Sequence, residues 1–81
     1  MNFEERRFLR EKLIRDLYND YFENAGREEM RRVNFDDREE KERHLAYKYL
    51  EEKGLINYRP ISKDGIYGIR INAHGIDYVE K

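Results

Sequence analysis

The apolar residues of this 81-residue chain change their spacing at Gly54. Before Gly54 they recur every three or four residues, which is the period of an α-helix. After it, the segments Leu55–Ile61 and Ile66–Asn72 are rich in β-forming residues and flank the turn-forming dipeptide Asp64-Gly65. The pattern predicts an α+β fold in which helices come first and a β-hairpin follows.

Two helices are predicted in the first part of the chain. A long amphipathic helix covers residues 2–24, uninterrupted by proline or glycine, and Asn24-Ala25-Gly26 supplies its end. The charged segment Arg27–Arg32 is predicted to form a short second helix that leads into Val33.

A third helix before the hairpin and a closing helix after it are each marked by a capping residue. Asp36 can accept from the free amides of a helix over residues 36–53, and Glu39 lies three residues on, as in a capping box. Asn72 can cap a short helix over residues 73–80 in the same way. The prediction is therefore three N-terminal helices, a hairpin and a short C-terminal helix.

The hairpin, residues 55–72, has a predicted register because a two-residue turn at Asp64-Gly65 fixes every pair that follows. Pro60 has no amide hydrogen, so its strand is expected to be an edge strand. The register pairs Lys63 with Ile66, Ser62 with Tyr67, Pro60 with Ile69 and Tyr58 with Ile71, and on the other face Ile61 with Gly68 and Arg59 with Arg70.

Size and charge narrow the class of protein. A chain of 81 residues fits one domain, residues 1–81, with a small core. Its 17 basic and 18 acidic residues give a net charge of −1, so it lacks the overall positive field of many nucleic-acid binders. The sequence has no cysteine, no apolar run long enough to span a membrane and no signal-like N-terminus. We therefore expect a cytoplasmic protein that does not enter a membrane.

The sequence offers little for catalysis. Ser62 is the only serine and threonine is absent, while the two histidines, His44 and His74, fall in different predicted elements. No glycine-rich loop precedes a helix to hold a phosphate, and there is no cysteine to complete a metal site. We expect a binding protein and not an enzyme, with no metal and no cofactor.

Two segments resemble the winged helix-turn-helix superfamily. Leu45-Ala46-Tyr47-Lys48-Tyr49-Leu50-Glu51-Glu52-Lys53-Gly54-Leu55-Ile56 is similar to the third helix and first wing strand of that fold. Ile69-Arg70-Ile71-Asn72-Ala73-His74-Gly75-Ile76-Asp77-Tyr78-Val79 is similar to the return strand and closing helix. The resemblance extends to small regulator-like proteins of bacteria and prophages. It implies a transcription regulator that binds double-stranded DNA, with the third helix in the major groove and the hairpin wing on the backbone.

The predicted DNA contacts follow from this arrangement. Arginines placed side by side on a wing repel each other, which indicates an anion-binding ridge, although each could instead pair with a nearby carboxylate. The candidate residues are Lys41, His44, Tyr47 and Lys48 on the third helix and Arg59, Lys63 and Arg70 on the hairpin.

Acidic residues in the first turn of the third helix argue against DNA binding by that helix. Asp36, Asp37, Glu39 and Glu40 stand where recognition helices usually approach the bases, although acids there also favour the helix dipole. The alternative function is therefore a winged-helix module that binds another protein and never enters a groove.

The first helix predicts a homodimer. Its apolar arc is wider than one small core needs, so part of it can face a symmetry mate that presents a second wing. The alternative is that the whole arc packs within one chain. The candidate interface residues are Phe3, Phe8, Leu9, Tyr18, Tyr21 and Phe22.

Overall fold

The computed structural model describes all 81 residues and has three helices and one three-stranded antiparallel sheet. In chain order the elements are α1 (Phe3–Glu23), β1 (Glu29–Arg32), α2 (Arg38–Glu52), β2 (Ile56–Pro60), β3 (Ile66–Ile71) and α3 (Ala73–Glu80). The strands lie in the order β1-β3-β2. The α+β class is confirmed.

Side-chain caps explain where the helices begin. At α1, Asn2 and Glu5 form a reciprocal capping box. At α3 the predicted cap is confirmed, because the Asn72 side chain accepts from the Gly75 amide at 3.0 Å. At α2 the cap is Asp37, one residue later than predicted, since its side chain accepts from the amides of Glu39 and Glu40. The predicted capping box does not form, because the Asp36 amide donates to the Asn34 side chain and not to Glu39.

The segment predicted as a short second helix, Arg27–Arg32, contains strand β1 instead. Ala25 and Gly26 both have positive φ, 56° and 75°, and turn the chain back along the sheet. Met30 then lies opposite Gly68, and the strand supplies hydrogen-bonding partners for an edge of β3 that would otherwise be open. The prediction of three N-terminal helices is therefore wrong, because only α1 and α2 precede the hairpin. Strand β1 lies between these two helices, so no short helix is joined to α2 by a tight turn.

The hairpin is confirmed but its predicted register is wrong by two residues. The loop contains four residues, 62–65, and is closed by the amide of Ile61 donating to the carbonyl of Ile66 at 2.7 Å. Of the two predicted turn residues only Gly65 has positive φ, so the two-residue turn does not form. A shift of two keeps every side chain on its predicted face, because strands have a period of two. The observed pairs are Ile56 with Ile71, Asn57 with Arg70, Tyr58 with Ile69, Arg59 with Gly68 and Pro60 with Tyr67.

One face of the sheet packs against the helices and forms the core. The buried core consists of Leu13, Ile14, Leu17, Ala46, Tyr47, Leu50, Ile56, Tyr58, Ile69 and Ile71. No helix is both long enough and apolar enough to cross a membrane.

The first hairpin strand is placed as the sequence predicts. Gly54, with φ of 79°, ends α2 and directs the chain into β2. Pro60 lies in β2, which is an edge strand as predicted.

Candidate nucleic-acid interface

The outward side of α2 carries a row of exposed residues that we call the α2 stripe. Its members are three or four positions apart and all are exposed: Arg38, Lys41, Leu45, Lys48 and Glu52. Arg38 and Lys41 form no ion pair, and Lys48 makes only a long contact of 3.8 Å with Glu51. Leu45, at the centre, is 59% exposed. The stripe therefore presents three cations and one carboxylate around an apolar side chain.

The acids at the start of α2 are directed partly away from this stripe. One oxygen of Asp37 accepts from the amides of Glu39 and Glu40 at 2.8 and 3.1 Å. Glu40 accepts from the Asn34 amide at 3.0 Å and lies 3.7 Å from Arg31. These contacts reduce the repulsion of phosphates that the sequence predicts for the first turn, although the side chains of Asp36 and Glu39 stay exposed.

Tyr47 was predicted to contact DNA, and the structure contradicts this. The residue is 5% exposed and lies on the inner side of α2, where its ring is 5.2 Å from the ring of Tyr58. Burial raises the pKa of its hydroxyl. Tyr47 belongs to the core, next in sequence to a residue of the α2 stripe but on the other side of the helix.

His44 belongs to an aromatic cluster between α2 and the hairpin, and it is half-buried. Its Nδ1 lies 2.7 Å from the hydroxyl of Tyr58, and its ring centroid is 5.2 Å from that of Tyr67. The rings of Tyr58 and Tyr67 stack at 4.7 Å. We define the aromatic cluster as Phe35, His44, Tyr47, Tyr58 and Tyr67. His44 thus fixes the hairpin against α2, which is a different role from the base contact predicted for it.

Stability is expected to fall in mild acid because of His44. Burial, and secondly the charge of Lys48, lower the pKa of its imidazole below the ordinary value near 6.5. The unfolded chain therefore binds more protons at this residue, and the free energy of unfolding decreases as pH falls from above 6.5 through the folded-state pKa. Chemical denaturation between pH 8 and pH 5 measures this decrease.

The two histidines provide a matched pair of variants for that measurement. His44→Gln is expected to flatten the dependence on pH, and His74→Gln, the same substitution at an exposed position of α3, is the control for the substitution itself. Equal slopes for the parent and His44→Gln would exclude His44 as the source.

The predicted arginine ridge on the hairpin does not form. Arg59 lies opposite Gly68 and is held by two hydrogen bonds to the carboxylate of Glu28, at 3.0 and 3.1 Å. Gly68 allows this pair, since a Cβ there would lie 2.5 Å from that carboxylate. Arg70 lies opposite Asn57 instead of Arg59. For Arg59, the alternative that it pairs with a nearby carboxylate is correct.

The hairpin tip keeps two cations. Lys63 is exposed in the loop, as the prediction requires, and forms no ion pair. Arg32, at the end of β1, donates to the carbonyl of Asp64 at 3.2 Å and so stands beside the tip. Sequence reasoning missed Arg32 because its segment was predicted to be helical. It also missed Arg38, although helical spacing from Lys41 was a sufficient signal.

The predicted dimer residues of α1 separate into two groups. Leu9, Tyr18 and Tyr21 are half-buried and pack against the chain's own core. The other three residues are largely exposed: Phe3 at 70%, Phe8 at 74% and Phe22 at 58%. Phe8 and Phe22 are fourteen positions apart, about 21 Å along the helix. They do not form one continuous patch.

Comparison with known proteins adds no relative. No family model matches the chain, and neither a curated protein nor a solved structure is significantly similar to it. The structure defines the chain as a small α+β domain with a cationic helix stripe.

Proposed function

We propose that this protein binds double-stranded DNA through the α2 stripe, with the hairpin tip beside it on the phosphate backbone. The supporting observation is the stripe itself, in which Arg38, Lys41 and Lys48 stand free or nearly free around an exposed Leu45. Side chains of this kind on one helix face can reach phosphates and base edges together.

The dimensions of α2 suit a major groove. Its 15 residues are about 22 Å long, and a B-DNA major groove admits one helix along its floor. Lysine and arginine donate to guanine or to phosphate, and a leucine side chain can contact a thymine methyl group. The order of strands and the hairpin following α2 are compatible with a winged-helix arrangement, although strand β1, and not a helix, lies between α1 and α2.

The biological role that follows is a small cytoplasmic transcription regulator without catalytic activity or cofactor. A two-fold dimer would present two α2 stripes to a palindromic site, and exposed Phe8 or Phe22 would supply its contact. Sedimentation velocity at micromolar concentration tests the dimer, and a species with the mass of one chain at all concentrations would exclude it.

A protein-binding module is the second candidate. Leu45 at 59% and Phe8 at 74% exposure are apolar surfaces that a partner protein would bury, and Glu28 neutralises Arg59 on the hairpin. Binding of this kind depends less on counterion release than binding to DNA does.

The dependence of DNA binding on salt distinguishes the two. With three to five phosphate contacts, the affinity for a random-sequence duplex is expected to fall roughly 50- to 500-fold between 50 and 200 mM salt. Fluorescence anisotropy of a labelled duplex measures this. An absence of binding at 50 mM salt, or binding that salt does not change, would reject the DNA proposal and favour the protein-binding module.

A further inference from the structure

A cleft separate from the α2 stripe lies where α1, the end of α2 and α3 meet. It encloses about 350 Å³, a size typical of small-ligand pockets. We call it the cationic cleft, and its lining residues are Arg7, Arg10, Glu11, Tyr49, Leu50, Lys53, Leu55 and Tyr78.

The cations of this cleft have no carboxylate partner. Arg7, Arg10 and Lys53 form no ion pair. The guanidinium carbon of Arg10 lies 3.8 Å from the ring centroid of Tyr49, and Nζ of Lys53 lies 5.8 Å from the same centroid. Stacking on a ring holds the guanidinium plane in place while its N–H groups remain free to donate.

The one acid in the lining is already engaged. Glu11 accepts a hydrogen bond from the hydroxyl of Tyr78 in α3, so its carboxylate is directed towards that helix. Three cations and one carboxylate leave an excess of two positive charges in the lining. The apolar walls contributed by Leu50 and Leu55 lower the local dielectric and strengthen attraction for an anion.

We propose that the cationic cleft binds a phosphoryl group. A phosphate ester dianion matches the excess of two charges, whereas a carboxylate supplies only one. The guanidinium of Arg10 offers paired donors to phosphate oxygens, and Arg7 and Lys53 add charge-assisted hydrogen bonds. The group can come from a free nucleotide, whose terminal phosphate is a dianion, or from a DNA backbone that passes the cleft, where two neighbouring phosphodiesters supply one charge each. This site does not depend on the α2 stripe.

The test uses inorganic pyrophosphate as the probe, titrated at constant ionic strength into the isotope-labelled full chain. Backbone amides around Tyr49, Lys53 and Leu55 are expected to shift in the nuclear magnetic resonance spectrum. Arg7→Gln combined with Lys53→Gln is expected to weaken the binding about tenfold or more, since each removes a charge-assisted contact. Both side chains are exposed, so the fold is retained, which the dispersion of the spectrum verifies.

A matched double variant on the α2 stripe makes the result specific. Arg38→Gln with Lys41→Gln removes the same charge and is expected to leave pyrophosphate binding unchanged. Shifts scattered over the surface, or shifts equal in both double variants, would overturn the proposal.

Addition of duplex DNA to the pyrophosphate complex identifies the source of the phosphoryl group. Displacement of pyrophosphate places the DNA backbone in the cleft, and retention indicates a free nucleotide; each outcome requires the cleft to bind a phosphoryl group. If the protein fails to bind DNA at all, the pyrophosphate titration still stands, so the two proposals fail separately.

Discussion

Replacing Gly75 with alanine is expected to lower the free energy of unfolding by about 3 kcal/mol, because α3 packs too closely on the sheet to admit a methyl group. Gly75 is buried, and a Cβ there would lie 2.1 Å from the carbonyl oxygen of Leu55 and 2.5 Å from Cγ1 of Ile71. The first neighbour is backbone and the second is a fully buried core side chain, so neither can move cheaply. The helix propensity of alanine returns only about 1 kcal/mol.

Gly68→Ala is the matched control, because it adds the same methyl group at another buried glycine. There the Cβ would meet the carboxylate of Glu28 at 2.5 Å, which is the far end of a flexible side chain. Glu28 can swing aside, so the expected cost is below about 1 kcal/mol, close to that of losing an exposed ion pair. Urea denaturation followed by circular dichroism measures both variants. A Gly75→Ala protein as stable as Gly68→Ala would show that α3 can move away from the sheet without cost.

Local signals were sufficient to predict most of the helical structure. Asn72 caps α3, and Gly54 ends α2, both as predicted, because a cap acts on the amides and carbonyls of its own helix end. The faces of the hairpin strands were also predictable, because alternation depends only on neighbouring residues. A wrong register of two residues left those faces unchanged.

Strand β1 was beyond the reach of local signals. Glu29-Met30-Arg31-Arg32 contains good helix formers, and nothing within it indicates a strand. Its conformation is set by the hydrogen bonds that it makes to β3, more than thirty residues along the chain. Tertiary pairing overrides propensity here because the alternative leaves one edge of β3 open.

The candidate site was predictable only where exposure follows from helical spacing. Lys41 and Lys48 lie on the outward side of α2 as expected, whereas Tyr47, adjacent to Lys48, points into the core. Arg59 could not be judged from the hairpin alone, because its partner Glu28 comes from the segment before β1. Contacts between distant segments decide which charges are free to meet a ligand.

Reversing two charges of the α2 stripe, Lys41→Glu with Lys48→Glu, is expected to weaken binding to duplex DNA about 100-fold or more at 50 mM salt. Each substitution removes a cation that phosphates attract and adds a carboxylate that they repel. Both side chains are exposed and away from the core, so the fold is expected to survive, as circular dichroism can verify. Fluorescence anisotropy with a random-sequence duplex measures the affinity and its slope against salt concentration.

A second charge reversal distinguishes a loss of DNA affinity caused by losing direct contacts of the α2 stripe from one caused by the changed net charge of the protein. Lys12→Glu with Arg15→Glu, on the exposed side of α1, changes the net charge by the same amount. If the α2 stripe contacts phosphates directly, this control loses much less affinity than the stripe variant, and its slope against salt stays close to that of the parent. Equal losses in the two proteins would mean that long-range charge alone governs the association, and α2 would then lose its assignment as the helix that meets the groove.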